Sequence, residues 1–281
     1  MPLDQFSYGV LTPAFSYGVS VLGCLFGLIA TARARRIADG QRRAGWLTLA
    51  ACSIGGTGIW SMHFIAMLGF AVKNEPTIQF DLGITLASLI TAIVVVAIGL
   101  FIVGYGRVSA LKVLAAGIFT GVGVAGMHYS GMAAMQIPAN VSYDPKLVGA
   151  SVVIAIVAAT VALWFTLVLN RGLALTIGAL IMGVAVNGMH FTGMYAMRVS
   201  DYVPRGVSGI LPAYLLAPIV VFVILVIFML LIAMLTRGGA PDLGEETLRI
   251  HAPRTPLVPE SDGAPQARTL RTSAAAFSRR R

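Results

Sequence analysis

The sequence predicts an all-α membrane protein: seven transmembrane helices built from repeated helix pairs, with the N-terminus outside and the C-terminus cytoplasmic. Three observations predict it. Hydrophobic residues make up 57% of the 281 and charged residues only 11%, with a mean hydropathy of +0.85, whereas a soluble domain carries about 25% charged residues. Seven apolar runs each reach the roughly 20 residues that cross a hydrocarbon core of about 30 Å. A short motif also recurs at a near-fixed period, which marks repeated structural units.

Residues 1–12 are polar and aromatic and lack the basic n-region of a signal peptide, so the first span is read over 13–32. The others are 45–72, 82–104, 111–137, 147–169, 173–197 and 212–235. Cys24 and Cys52 lie inside apolar runs, where a thiol behaves as a small hydrophobe, so no disulfide framework is expected. Arg33, Arg35, Arg36, Arg42 and Arg43 crowd the first loop, Arg107 and Lys112 flank the third, and Arg171 the fifth. The intervening loops hold a weaker basic set, Lys73, Lys146, Arg198 and Arg205, beside Glu75, Asp144 and Asp201. The positive-inside rule therefore puts the first set in the cytoplasm. After Leu235 the composition turns to Pro, Gly, Ser and Arg without apolar periodicity. Residues 8–235 are read as one membrane domain and 236–281 as a disordered basic cytoplasmic tail, with no output domain expected there. The net charge of +9 sits in the loops and tail, where it sets topology. No nucleic-acid partner is expected; the lipid bilayer is.

The motif reads Ser61-Met62-His63-Phe64-Ile65-Ala66-Met67, then Gly126-Met127-His128-Tyr129-Ser130-Gly131-Met132, then Gly188-Met189-His190-Phe191-Thr192-Gly193-Met194. Its histidines are spaced 65 and 62 residues and are three of only four in the chain; the fourth, His251, lies in the tail and is given no site role. The copies lie late in the second, fourth and sixth spans, so all three face outward. Helical positions i, i+4 and i+7 share a face. That aligns His63 with Met67, His128 with Met132 and Met135, and His190 with Met194 and Met197. From His128 to Pro138 is ten residues, about 15 Å of helix, which sets the histidines inside the outer half of the membrane. Gly56, Gly121 and Gly183 each stand seven residues before a histidine, where a small residue lets helix backbones approach closely. If the three helices are neighbours, their imidazoles converge.

A lone membrane histidine ordinarily hydrogen-bonds a neighbouring helix, and a lone methionine fills an apolar gap. Here Met-His-aromatic and the methionine four residues on persist while the flanking sequence has diverged. His63, His128 and His190 are therefore read as one metal site, with Met67, Met132 and Met194 as candidate ligands. Imidazole and thioether suit a soft, low-valent metal: Cu(I) fits best and Cu(II) or haem iron stay open. Mg and Ca match poorly because the motif segments hold no carboxylate. A metal held by three imidazoles, or by imidazole and thioether, keeps a position for a small diatomic ligand. Met62, Met127 and Met189 sit about 100° off the histidine face and are expected in packing or just behind the ligands. The Tyr129 hydroxyl is a candidate to orient an imidazole. Asn187, polar and intramembrane, is a candidate to hydrogen-bond between helices.

These residues resemble the MHYT domain, a bacterial integral-membrane sensor module named for Met-His-Tyr-Thr. The resemblance covers about residues 8–235, with Met62-His63-Phe64-Ile65, Met127-His128-Tyr129-Ser130 and Met189-His190-Phe191-Thr192 standing for the name. The first copy departs most: Ile65 replaces a hydroxyl residue, Ala66 a glycine, and Phe70 stands where the others have Met135 and Met197. The resemblance implies copper bound through these positions and sensing of O2, CO or NO, in a family commonly fused to cyclic-di-GMP enzymes, histidine kinases or DNA-binding domains. The expected function is a sensor of the cytoplasmic membrane that signals through a separate cytoplasmic partner. The alternative is a copper-handling or transport protein, favoured by the repeats but lacking a charged residue mid-membrane to couple ions. A structural subunit of a membrane complex is a further rival. An enzyme is not expected, since no carboxylate pair, nucleophile constellation or phosphate loop occurs.

Overall fold

Each apolar run folds as a helix because, away from water, only a helix or a closed barrel pairs every backbone N–H and C=O. The structure, a computed structural model, describes residues 3–4, 6–72, 78–170, 172–203 and 209–237. Its helices are α1 (Leu11–Ala34), α2 (Gly40–Met67), α3 (Leu82–Gly104), α4 (Ala110–Ala133), α5 (Pro145–Val168), α6 (Gly172–Ala196) and α7 (Pro212–Arg237). All seven are long and apolar enough to cross a membrane, so the chain is a multi-pass membrane protein. Side-chain caps set several helix starts. Asp39, Asp81, Ser109 and Asp144 accept from an N–H two or three residues on, at 2.8–3.3 Å.

Short strands close one end of the bundle: β1 (Leu3–Asp4), β2 (Ala71–Val72), β3 (Gln79–Phe80), β4 (Met135–Gln136), β5 (Ala139–Tyr143) and β6 (Met197–Tyr202). They pair antiparallel as β1–β2, β3–β4 and β5–β6, with Leu3 opposite Val72, Gln79 opposite Gln136 and Tyr143 opposite Met197. The repeated unit is thus β-α-α-β: a strand, a plain helix, a motif helix, and a strand returning to the first. In every unit the chain entering the plain helix donates to the carbonyl six residues past the histidine. Ser7 N–H meets Gly69 at 2.9 Å, Asp81 meets Ala134 at 2.8 Å and Asp144 meets Ala196 at 2.8 Å.

Helices α1 to α6 form a closed ring in chain order, α6 returning against α1, and the motif ends of α2, α4 and α6 touch one another. Helix α7 falls outside the three units and lies against the middle of α2. There Phe222 covers Gly56 and meets Trp60 edge-on at 6.1 Å. As a result 89% of the most apolar window of α2 is buried, against 22–44% in the other six helices.

Several expectations are corrected. Helix α2 is not α-helical throughout, because Cys52–Ser61 winds as a π-helix between two α segments, with Ser61 Oγ donating to the Gly56 carbonyl at 3.0 Å. This wider i→i+5 winding turns Gly56 toward Phe222 of α7. Gly183 accommodates the Tyr17 and Val21 side chains, so among Gly56, Gly121 and Gly183 only Gly121 admits a neighbouring backbone, that of Ala155 and Ile156 on α5. The spans expected over 45–72, 111–137 and 173–197 run past their helix ends. Met135 and Met197 each begin a strand, so the i+7 alignment with the histidines fails. The carbonyls of Gly69, Ala134 and Ala196 go to the incoming chain, which stops the helix there. His128 therefore lies five residues from the end of α4, about 8 Å rather than 15 Å.

At the end opposite the strands, Arg35 donates to the Thr166 and Leu169 carbonyls of α5, and Arg43 to the Gly104 carbonyl of α3. Both place a cation at a helix C-terminus, and Arg43 also lies over the Tyr105 ring at 4.9 Å. The loop arginines thus hold helix ends together besides carrying charge. On the strand end, the Arg198 guanidinium beside Asp144, helped by the Lys146 N–H, holds the Asp144 carboxyl below the usual carboxylate range. Residues after Arg237, including most of the expected tail and His251, lie outside the described residues, as do Lys73, Glu75, Arg171 and Arg205.

A Cβ at Gly121 would lie 2.7 Å from the Ile156 nitrogen and 2.8 Å from the Ala155 carbonyl oxygen, while one at Gly126 would meet nothing within 4 Å. Gly121→Ala is expected to cost about 1–3 kcal/mol by overpacking and Gly126→Ala to be neutral or stabilising by up to about 1 kcal/mol. Thermal unfolding of the two variants in the same micelle checks the pair.

Candidate metal centre

Helices α2, α4 and α6 each deliver one imidazole to the point where their motif ends meet. His63, His128 and His190 are each 1% exposed. His63 Nδ1 lies 2.9 Å from His190 Nδ1 and 3.1 Å from His128 Nδ1. The rings stand nearly perpendicular to one another, with centroids 4.9, 4.9 and 5.1 Å apart. Each ring also meets the aromatic residue that follows it edge-on, Phe64, Tyr129 and Phe191, at 4.9–5.0 Å. The three Nδ1 atoms point inward and the three Nε2 atoms outward, in a three-fold arrangement built from one chain.

Two of the outward nitrogens sit in slots made by the motif itself. A Cβ at Gly131 would collide with Nε2 of His63, and one at Gly193 with Nε2 of His128. These glycines each stand three residues past the histidine of the next unit; the same slot in the first unit is Ala66, itself buried. The glycines are the residues that sequence reasoning undervalued, although a small residue at that offset in all three copies was a usable signal.

Hydrogen bonding alone leaves the cluster unsatisfied. Each neutral imidazole carries one N–H, and a Nδ1–Nδ1 contact uses a proton from only one of the two rings. All three Nε2 atoms are buried without a hydrogen-bond partner among the described residues. An unsatisfied buried polar group costs about 1–3 kcal/mol, so three histidines here are more expensive than three apolar residues and call for a role. The geometry suits a shared ion. Two nitrogens bound to one tetrahedral ion at about 2.0–2.1 Å are separated by about 3.3 Å, a few tenths of an ångström wider than the two Nδ1 spacings seen. The three histidines are the group able to hold a metal among the described residues, and they include no carboxylate, so the donor set is imidazole first.

Met67, Met132 and Met194 are buried to 1–2% exposure one turn beyond the histidines, and Met62, Met127 and Met189 are equally buried beside them. The Tyr129 hydroxyl does not reach an imidazole: it pairs with Ser151 Oγ of α5 at 2.7 Å, because a residue next to the histidine points toward the flanking helix. Asn187 bridges helices as expected, accepting from Ser16 of α1 at 2.9 Å and donating to the Gly183 carbonyl at 2.9 Å. Trp60 fills the same offset in the first unit and donates to Ser88 of α3 at 3.0 Å.

The chain matches the MHYT family, described as bacterial signalling protein N terminal repeat, three times, over residues 56–116, 121–179 and 183–244. It is 36% identical over 197 residues to the bifunctional diguanylate cyclase/cyclic di-GMP phosphodiesterase MucR of Pseudomonas aeruginosa, covering 68% of this chain and 28% of that protein. To the cyclic di-GMP phosphodiesterase NbdA of the same organism it is 36% identical over 194 residues, 66% of this chain and 24% of the relative. To the signaling protein YkoW of Bacillus subtilis it is 29% identical over 196 residues, again 66% and 24%. The match spans about a quarter of the length of these curated relatives. No solved structure matches the chain.

In Gly131→Ala the His63 ring must leave its slot and its Nδ1 contacts. Nitrogen NMR of histidine-labelled protein should show the His63 signals displaced, with Gly193→Ala doing the same to His128. Unmoved signals would mean that the slots are looser than the backbone suggests.

Proposed function

The chain belongs to the MHYT family of bacterial signalling proteins, and from that premise we propose that it is a cytoplasmic-membrane sensor whose receiving centre is a copper ion held by Nδ1 of His63, His128 and His190. The observation that carries this reading is the inward convergence of three buried Nδ1 atoms at 2.9 and 3.1 Å. Copper is preferred because the donors are imidazoles with thioethers one turn away and no carboxylate. Met67, Met132 and Met194 are proposed to add sulfur donors, while Met62, Met127 and Met189 keep water and competing donors away. When bound, the ion supplies a soft centre with affinity for a small diatomic gas, O2, CO or NO.

The remaining parts belong to the protein. A strand pair closes each unit past its histidine, each histidine is braced by its neighbouring aromatic, and His63 and His128 are braced also by a glycine slot. A change in the cluster is felt by three helices at once. It becomes a signal provided that the ligand binds one packing of α2, α4 and α6 better than another. The strand end is proposed to face outward, leaving Arg35 and Arg43 on the cytoplasmic side, where they tie the α1–α2 turn and α2 to the ends of α5 and α3. Two relatives are named for cyclic di-GMP turnover; the partner proposed here is a separate cytoplasmic signalling protein of that kind.

Metal analysis of the purified full chain tests the centre. Wild type should carry stoichiometric copper and the triple His63→Ala, His128→Ala, His190→Ala variant none; equal, negligible copper in both removes the metal. Leucine at Met67, Met132 and Met194 should weaken Cu(I) affinity by about 10–100-fold in combination, the range for groups that support a metal site.

A further inference from the structure

An apolar cavity of about 50 Å³ lies among helices α2 to α6, one turn from the histidines. Its upper wall includes Ile59, Val124 and Val186, which stand four residues, or one turn, before His63, His128 and His190. Met189, adjacent to His190, also lines it. A water-sized molecule needs roughly 10–15 Å³ of such space, so the cavity has room for a diatomic molecule. Thr120 and Thr166 are the polar residues in its wall, and Thr166 Oγ1 is already committed to the Leu163 carbonyl at 2.6 Å. Water needs two to four polar partners to stay in such a place. The cavity offers the Thr120 hydroxyl, which has no partner of its own, and so favours an apolar occupant.

The cavity also has a side facing lipid. Ala158 of α5 and Met182 and Ala185 of α6 line both this cavity and a groove of about 340 Å³ on the outer face of the α5–α6 seam. Val153, Val157 and Ile181 complete the groove and are 48–60% exposed. Of the three residues that the two spaces share at the seam, two end at a methyl group. On the strand side, by contrast, each motif helix runs into a paired strand within eight residues of its histidine, tied there by backbone hydrogen bonds.

We propose that a small apolar gas reaches the histidine cluster from within the bilayer, through the α5–α6 seam at Ala158 and Ala185, and is held in this cavity below the imidazoles. The proposal takes its ligand from the sensor reading above, but the cavity is testable without it. Nonpolar gases concentrate in hydrocarbon, so such an entry draws on the richer phase and excludes ions and water-soluble competitors.

Xenon, an apolar probe of similar size, should bind wild-type protein in lipid nanodiscs, detected by xenon NMR, and should be excluded by Ala158→Phe and Ala185→Phe. Ile224→Phe, on the lipid face of α7, should leave xenon binding intact. The valine substitutions Ala158→Val and Ala185→Val, milder in volume, should give the same order of effect if the phenylalanine variants unfold. In copper-loaded protein, CO association after flash photolysis should slow about tenfold in the seam variants with equilibrium affinity unchanged, the barrier expected of an overpacked wall. No xenon signal in wild type overturns the cavity. Unchanged CO rates in seam variants that exclude xenon overturn the passage. Xenon binding with no CO uptake by copper-loaded wild type upholds the cavity, sinks the sensor reading and takes the gas passage with it.

Discussion

Three buried imidazoles, with Nδ1 of His63 about 3 Å from Nδ1 of each of the other two, are the constraint on which the rest of the molecule depends. Burying them is costly unless they share something, and they can share it only if three helix ends arrive at one point with matching depth and rotation. Parallel units meet that demand, since each presents its histidine at the same height. Gly131 and Gly193, three positions past their histidines, meet the demand on rotation for His63 and His128, because a larger side chain would evict the neighbouring ring. The strand pairs fix the depth, through the carbonyl six residues beyond each histidine.

The unit seen in space and the repeat seen in sequence are out of frame. The family matches start at residues 56, 121 and 183, inside the motif helices, and run on into the following helix. The structural unit begins one helix earlier, with the strand that the motif helix later rejoins. The difference accounts for α7, which follows the third motif helix as α3 and α5 follow the first and second, and the third family match runs through it. Its apolar surface is turned instead against the π-wound middle of α2, and this leaves the first unit the most enclosed of the three.

Helix number, the pairing of helices and the histidine cluster were legible because they depend on composition, period and a rare residue type. Asn187 was legible for a similar reason, since an amide in an apolar span must find a partner. The π segment was not. Its signal, glycines at 55, 56 and 58, reads equally as close packing, and the winding follows from what surrounds it. Met135 and Met197 were placed wrongly because helical periodicity was carried past a point where backbone hydrogen bonds to another segment end the helix. The methionine that opens each of these strands continues the apolar run of its helix, so the change from helix to strand does not announce itself there. Tyr129 had a plausible partner in the imidazole, and only the position of Ser151 redirects it.

All three units enter the bundle from the same end, so no axis lying in the membrane plane exchanges one face of the molecule with the other. Many secondary carriers obtain their two alternating openings from an inverted pair of halves that such an axis relates. Among the described residues the histidine centre has no mirror counterpart at the arginine-rich end. The architecture is vectorial: the two ends differ in kind, and what they have in common is continuous helix, along which a displacement at one end is carried to the other.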